Sequence, residues 1–307
     1  MSSTNAARVT IVGAGLAGAA CAVALRDAGV PFRLVERGRS IGGRMASPTV
    51  RGRRVDIGAG YFTVRDNGFA AVAQAWARTN LAREWTDTFG VLRAGTDPDT
   101  TTGPTRWATP GGLRSLVRAL LADIRVELET EMTELPSGTV VLAMPDPQAA
   151  RLGPVPDPVG CSPVLTTVLE FEERAWPFVD AAFVNDHPIV EFIADDGARR
   201  GDGAPVLVAH STPDFARSYL TNSEAAAAPM ISGVREVIGG RPPVRTHVHR
   251  WTFAKPAGQH AMSFGLVETG GRLVGFAGDQ WCPDGPPRVE SAWRSGTDVA
   301  AAIIAAQ

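Results

Sequence analysis

The apolar positions come in two rhythms. A short continuous run, Val9–Val12, stops at a glycine, the mark of a buried strand. Residues 16–28 follow, rich in alanine, with Leu16, Ala20, Val23 and Ala24 at helical spacing and Gly29 and Pro31 closing the segment. Residues 32–36 return to the strand pattern. Strand, helix and strand in under 40 residues make a βαβ unit and predict a parallel sheet.

Further on, the pattern predicts a strand at 55–57 and helices at 69–77 and 111–122, the second with Leu113, Leu116, Val117, Leu120 and Leu121 as its apolar face. It also predicts strands at 124–128 and 139–143. The middle of the chain reads differently. Segments 164–171, 189–193, 205–210, 244–251 and 262–266 are strand-like and separated by Gly, Pro and Asp turns. Residues 223–238 read as a helix with a break or kink at Pro229. Residues 90–104 read as a mobile surface loop. The first rhythm returns at the end, with a strand at 272–276 and a helix over 289–306. The expected fold class is α/β: a discontinuous nucleotide-binding domain (1–65, 105–155 and 270–307) holding an inserted, sheet-rich α+β substrate domain (66–104 and 156–269).

Composition narrows the function classes. With 307 residues, 44% hydrophobic, the chain can bury a sizeable core, and a net charge of -2 supplies no positive field for nucleic acid or an anionic membrane. The Arg51–Arg54 run reads as a solvated turn. No apolar run approaches the ~20 residues of a membrane span, and the leading MSSTNAAR has no apolar signal region. The three cysteines, Cys21, Cys161 and Cys282, are scattered, and His247, His249 and His260 are poorly spaced for a metal, so no metal is expected. These features lead to an expectation of a cytoplasmic protein, monomer or homodimer, without nucleic-acid or membrane partners.

The chemistry begins at Gly13-Ala14-Gly15-Leu16-Ala17-Gly18, a GxGxxG loop between a strand and a helix. Gly13 permits the tight turn, Gly15 lets the backbone approach a pyrophosphate, and Gly18 allows helix to pack on strand. The helix N-terminus offers N–H groups to phosphate. Glu36 ends the second strand, 18 residues after Gly18, where a carboxylate can accept from a ribose diol. This much leaves FAD and NAD equally open.

A resemblance separates them. Residues 37–45, with Arg37, Gly42, Gly43, Arg44 and Met45, resemble the second glycine motif of the amine oxidase-like flavoproteins, which lies along the FAD pyrophosphate. Met132, on a strand-like stretch at 129–135, falls where those proteins lend backbone to the adenine. Gly275-Phe276-Ala277-Gly278-Asp279 resembles their C-terminal motif, whose Asp binds the ribityl or phosphate part; the following helix, with Val289, Glu290 and Ala292 in its first turns, would point its N-terminus at the flavin pyrimidine ring.

Six ordered blocks are more particular: GGRMA (42–46), DIGAGYF (56–62), RWATPGGL (106–113), VVLAMPDPQA (140–149), HRWTFAKPA (249–257) and GDQWCPDGPPRVESAW (278–293). Together they resemble bacterial renalase-type flavoproteins over nearly the whole chain. The resemblance implies a Rossmann-type, GR2-like FAD domain and non-covalent FAD. It implies oxidation of the 2- and 6-dihydro isomers of NAD(P)H, with hydride passing to flavin N5 and dioxygen yielding hydrogen peroxide. Two departures bear on the substrate. The family's small β-meander is missing between Glu134 and Gly138, and Gly60 replaces the family's Gln before the aromatic pair.

On this reading Gly60 and Tyr61 border the flavin. Tyr61, Phe62 and Thr63 form an aromatic wall over it, and Trp251 and Lys255 the opposite side. Core packing is the competing role for Phe62 and Trp251, and a surface charge for Lys255. Arg65, Arg106 and Arg217 are open candidates for a substrate phosphate. Two alternatives remain: an amine oxidase or biosynthetic desaturase on the same scaffold, or a non-catalytic flavin-binding interaction protein. Only Tyr61 and Tyr219 are tyrosines, which disfavours an amine-binding tyrosine cage.

Overall fold

The computed structural model describes residues 9–306; the polar Met1–Arg8 leader lies outside the described residues. The chain divides into two compact units, one of residues 9–45, 116–161 and 256–306, the other of 46–115 and 162–255. The first unit thus leaves the chain at Met45, whereas the sequence pattern placed that exit near residue 65. Residues 46–65 go to the second unit because Ala46, Val55 and Ile57 are buried with Val168, Val206 and Val208 in its core.

The first unit is built on a six-stranded sheet. In spatial order its strands are Gly265–Thr269, Arg272–Ala277, Thr139–Ala143, Val9–Val12, Phe32–Val35 and Val126–Glu127. All neighbours run parallel except the first pair. Val9–Val12 is buried at every position, as a strand covered on both faces must be. Helices Leu16–Asp27 and Val289–Ala305 pack so closely that a Cβ at Gly296 would lie 2.0 Å from the Ala17 carbonyl oxygen. That contact is open only to glycine.

The second unit carries an eight-stranded sheet, ordered Arg245–Pro256, Cys161–Glu170, Val206–Ser211, Val190–Asp195, Ala181–Val184, Arg83–Leu92, Asp99–Ala108 and Phe62–Thr63. Helix Ala227–Ile238 buries Met230, Val234 and Ile238 in a core that includes Leu165, Ile193 and Leu207 of this sheet.

Several expectations are corrected. Of residues 90–104, only 93–98 are loop. Arg83–Leu92 and Asp99–Ala108 form a long antiparallel pair in which Phe89 faces Thr101 and Thr88 faces Thr102. The Thr-rich strand has little apolar alternation to reveal it; β-branched side chains suit the pleat nonetheless. Residues 55–57 are outside any ladder, although Val55 and Ile57 donate backbone bonds to Pro48 and Ala46. The 129–135 stretch is irregular, and the helix expected over 111–122 is only Arg114–Leu120, because Gly112 turns at φ +86°. Residues 262–266 become strand only from Gly265, and 124–128 only at Val126–Glu127. Pro229 makes no kink: it sits in the first turn of Ala227–Ile238, after a short 3-10 turn at Ser223–Ala226, where its missing N–H breaks no helical bond. Among the described residues no helix is long and apolar enough to cross a membrane.

Candidate functional site

In the first unit, Val9–Val12 delivers the chain to Gly13, which adopts φ +108°; a Cβ there would lie 2.5 Å from the Ala143 carbonyl oxygen, and one on Gly18 1.9 Å from the Gly13 oxygen. Gly15 behaves differently. It is the N-cap of Leu16–Asp27 and supplies no side-chain cap, and a Cβ built on it meets nothing within 4 Å. The first turn thus has no side-chain cap and open space beside Gly15, features that fit a pyrophosphate.

Glu36 is aimed at this loop. Its carboxylate accepts from the backbone N–H of Ala14 at 2.9 Å and of Gly38 at 2.8 Å. These bonds orient the carboxylate and leave lone pairs for a diol. The second glycine motif docks on the first: Gly42 N–H donates to the Ala14 oxygen at 2.8 Å, and a Cβ on Gly43 would stand 3.4 Å from Gly15 Cα. Gly43–Met45 is one 3-10 turn. Arg44 forms a two-pronged pair with Asp279, Nη2 to Oδ1 at 2.6 Å and Nη1 to Oδ2 at 3.0 Å. Met132 packs against the apolar cluster of Val12, Val35 and Leu142.

Behind Asp279 lies a polar knot that the sequence reading missed. Gln280 donates to Asp146 at 2.8 Å and to the Met144 carbonyl at 3.0 Å, His260 Nε2 lies 2.7 Å from Asp146, and Val159 N–H donates to the same carboxylate. The His260 ring stacks on Trp281 at 3.5 Å. All four side chains are buried. Gly278 N–H donates to Ser295, and Ser291 donates to the Asp279 carbonyl, which ties the turn to the helix Val289–Ala305. In that helix's first turn Glu290 is buried and pairs with Arg288 at 3.2 Å; Val289 and Ala292 are partly buried. Cys282 is a buried thiol directed at the carbonyls of Asp284, Gly285 and Pro286.

In the second unit, Asp56 organises two of the motif blocks. It accepts from Leu113 N–H at 2.9 Å and from the Ser47 hydroxyl. Arg199 is 1% exposed and donates to the Gly60 carbonyl at 3.0 Å and to Asp196 at 2.6 Å. Burial raises the Asp196 carboxyl, but the Arg199 and Arg200 guanidiniums outweigh it and hold the group below its usual value. The Asp-Asp-Gly-Ala-Arg-Arg run at 195–200 was the available signal, and it passes in sequence for a surface turn. Gly60 is buried, and a Cβ there would stand 3.2 Å from Phe192 Cε1.

The residues expected near substrate take distinct environments. Phe62 is buried against Phe69, Trp76 and Trp107. Tyr61 is partly buried, edge-on to Phe89 at 5.3 Å. Thr63 pairs with Arg106 in the sheet, and the Arg106 guanidinium lies over the Phe89 ring at 3.9 Å. Trp251 donates to the Ile57 carbonyl at 2.8 Å. Lys255 is half-exposed and ion-paired with Glu191, and Arg217 pairs with Asp214 at the surface.

A glycine loop feeding a helix, a carboxylate closing the next strand, and a second glycine motif salt-bridged to a C-terminal Gly-Asp turn are the parts of an FAD cradle. The flavin containing amine oxidoreductase family matches residues 123–304, and an NAD(P)-binding Rossmann-like domain matches residues 11–77. The chain belongs to the flavin containing amine oxidoreductase family. Within that superfamily it is renalase-like: it is 27% identical over 298 residues to renalase from Mus musculus, a match that covers 81% of this chain and 85% of the relative. Among solved structures, cyclohexylamine oxidase from Brevibacterium oxydans IH-35A superposes with a TM-score of 0.76 at 14% identity, covering 98% of this chain and 99% of that one. A putrescine oxidase bound to putrescine superposes at 0.70 with 14% identity, covering 97% and 98%. At such identities these structures show the shared fold. The family member described here is an FAD-dependent oxidoreductase, and its first unit holds residues that fit the cofactor.

Proposed function

We propose that this flavoprotein oxidises misreduced dihydronicotinamides, the 2- and 6-dihydro isomers of NAD(P)H, in the cytoplasm. The reading is carried by the six ordered sequence blocks, supported by the renalase match along most of the chain. FAD, bound without a covalent link, supplies the hydride acceptor at N5 and the route of two electrons to dioxygen, which leaves as hydrogen peroxide.

The chain's own residues bind and orient. Glu36 receives the ribose diol, and the N–H groups after Gly15 receive pyrophosphate, with the backbones of Ala14, Ala17, Arg37, Gly43 and Met45 closing around it. Arg44 and Asp279 fix the second glycine motif to the C-terminal turn. The N-terminus of Val289–Ala305 supplies a positive dipole end that favours negative charge in the reduced flavin. On the substrate side we assign ring surface to Tyr61 and Trp251, support from behind to Phe62 and Thr63, and a held cation to Lys255.

The test is anaerobic mixing of the FAD-loaded protein with each isomer while the flavin's visible absorption is followed. Rapid bleaching by the 2- or 6-dihydro isomers but not by ordinary NADH is expected. An FAD-loaded protein that no isomer bleaches would overturn the reading. Bleaching by a simple amine instead would move it to the amine oxidase alternative.

A further inference from the structure

The second unit contains a cavity of about 570 Å³, lined in part by Ala46, Ile57, His249 and Trp251 of the motif blocks. That volume is within the usual range for small-molecule sites, roughly 300–1,000 Å³. One wall is the strand Arg245–Pro256. Its alternate positions His247, His249 and Trp251 share a face, as strand geometry requires. The other wall is the hairpin of Thr49–Val50 and Arg53–Arg54, with Arg51 at its turn, together with Arg114 at the start of a helix.

We infer that this cavity binds the adenosine diphosphate part of a dinucleotide. Two observations carry the inference. First, the aromatic surface is held in place. Trp251 is tethered through its indole N–H to the Ile57 carbonyl, and His249 meets it edge-to-face at 4.7 Å and 66°. Burial, helped by the charges of His247 and Arg250, lowers the His249 pKa, so near neutral pH it presents a neutral ring beside the indole. Such a pair suits a planar base. Second, the charge is one-sided. The described residues lining the cavity include two arginines, Arg51 and Arg114, and no carboxylate. Guanidinium groups lining the same cavity as an aromatic platform match a base joined to a diphosphate.

That the diphosphate belongs to a dihydronicotinamide substrate rests on the function proposed above; that the cavity binds adenosine diphosphate does not. The experiment is calorimetric titration of the FAD-loaded protein with ADP and, separately, with adenosine. The FAD-loaded form keeps ADP from the cofactor's own seat. ADP is expected to bind at least about tenfold more tightly than adenosine, the effect of roughly one charge-assisted contact. Arg51→Asn keeps a residue tolerant of the positive φ (49°) at the turn while removing the charge. It is expected to weaken ADP binding about tenfold, with FAD content unchanged as the check on folding. Equal affinity for ADP and adenosine, no binding of ADP, or ADP binding unaffected by Arg51→Asn would each overturn the inference. ADP binding that depends on Arg51, in a protein that no isomer bleaches, would support the cavity and sink the oxidase reading. Bleaching by the isomers without ADP binding would do the reverse.

Discussion

Arg44 and Asp279, 235 residues apart, meet through two parallel hydrogen bonds of 2.6 and 3.0 Å. Both are mostly buried, at 25% and 18% side-chain exposure, and each belongs to a different glycine motif. The pair fastens the turn after the last strand to the loop after Phe32–Val35, so one interaction joins the two motifs proposed to hold the cofactor. Two-pronged arginine–carboxylate contacts fix orientation as well as distance.

Asp279→Asn therefore removes one charge and one acceptor from the seat. FAD affinity is expected to fall about tenfold or more. Titration of apoprotein with FAD, followed by flavin fluorescence, measures it. Affinity unchanged within error would show that the pair does not shape the seat.

His260 and Asp146 form the polar knot behind that turn. His260→Ala removes a ring stacked at 3.5 Å on Trp281 and one partner of a buried carboxylate. Asp146 keeps Gln280 and Val159 N–H, so the expected loss is about 2–3 kcal/mol rather than that of a stranded charge. The urea midpoint of the FAD-loaded protein reads this; a shift below experimental error would mean that the knot adds nothing to stability.

His210 has no hydrogen-bond partner for its buried Nε2, and its ring lies against Phe192. Burial, together with the charges of Lys255 and Arg199, pushes its pKa down to about 3 from 6.5. Below pH 6.5 the unfolded chain takes up a proton that the folded chain refuses. Stability from this group is complete above pH 6.5 and falls as pH drops toward 3, by about 1.4 kcal/mol per pH unit at most. His210→Gln should flatten the decline between pH 6.5 and 4. Parallel stability curves for variant and parent would refute this assignment.

Gly60 stands where the resembled family has Gln. Here Phe192 and Arg199 occupy the space a side chain needs, with contacts of 3.2 and 3.5 Å to a built Cβ. Gly60→Gln is expected to cost about 1–3 kcal/mol by overpacking, read as a lower thermal midpoint. An unchanged or raised midpoint would show that the two neighbours yield readily.

Cys282 is buried, with its thiol directed at three carbonyls. Acid precipitation should leave all the yellow colour in the supernatant, for the parent and for Cys282→Ser alike. Colour retained in the pellet would reveal a covalent flavin.

The βαβ opening was legible in the chain because its signals are local. A four-residue apolar run, an alanine-rich helix and glycines at fixed offsets act over single turns, and Val9–Val12, Phe32–Val35, Thr139–Ala143 and the last helix lie where the pattern put them. Those offsets left FAD and NAD open; the resemblance of residues 37–45 and of the Gly-Asp turn near the end to amine oxidase-like flavoprotein motifs separated them. Other features depended on partners distant in sequence. Asp99–Ala108 is a strand because Arg83–Leu92 pairs with it, not because its own Thr-rich sequence alternates. Residues 46–57 join the second unit because Val168, Val206 and Val208 bury them. His260 and Asp146, 114 residues apart, had no local signature, and the charged run that carries the buried Arg199 reads in sequence as a surface turn. A buried charge is stable only when its partners surround it, and only the folded chain brings those partners together.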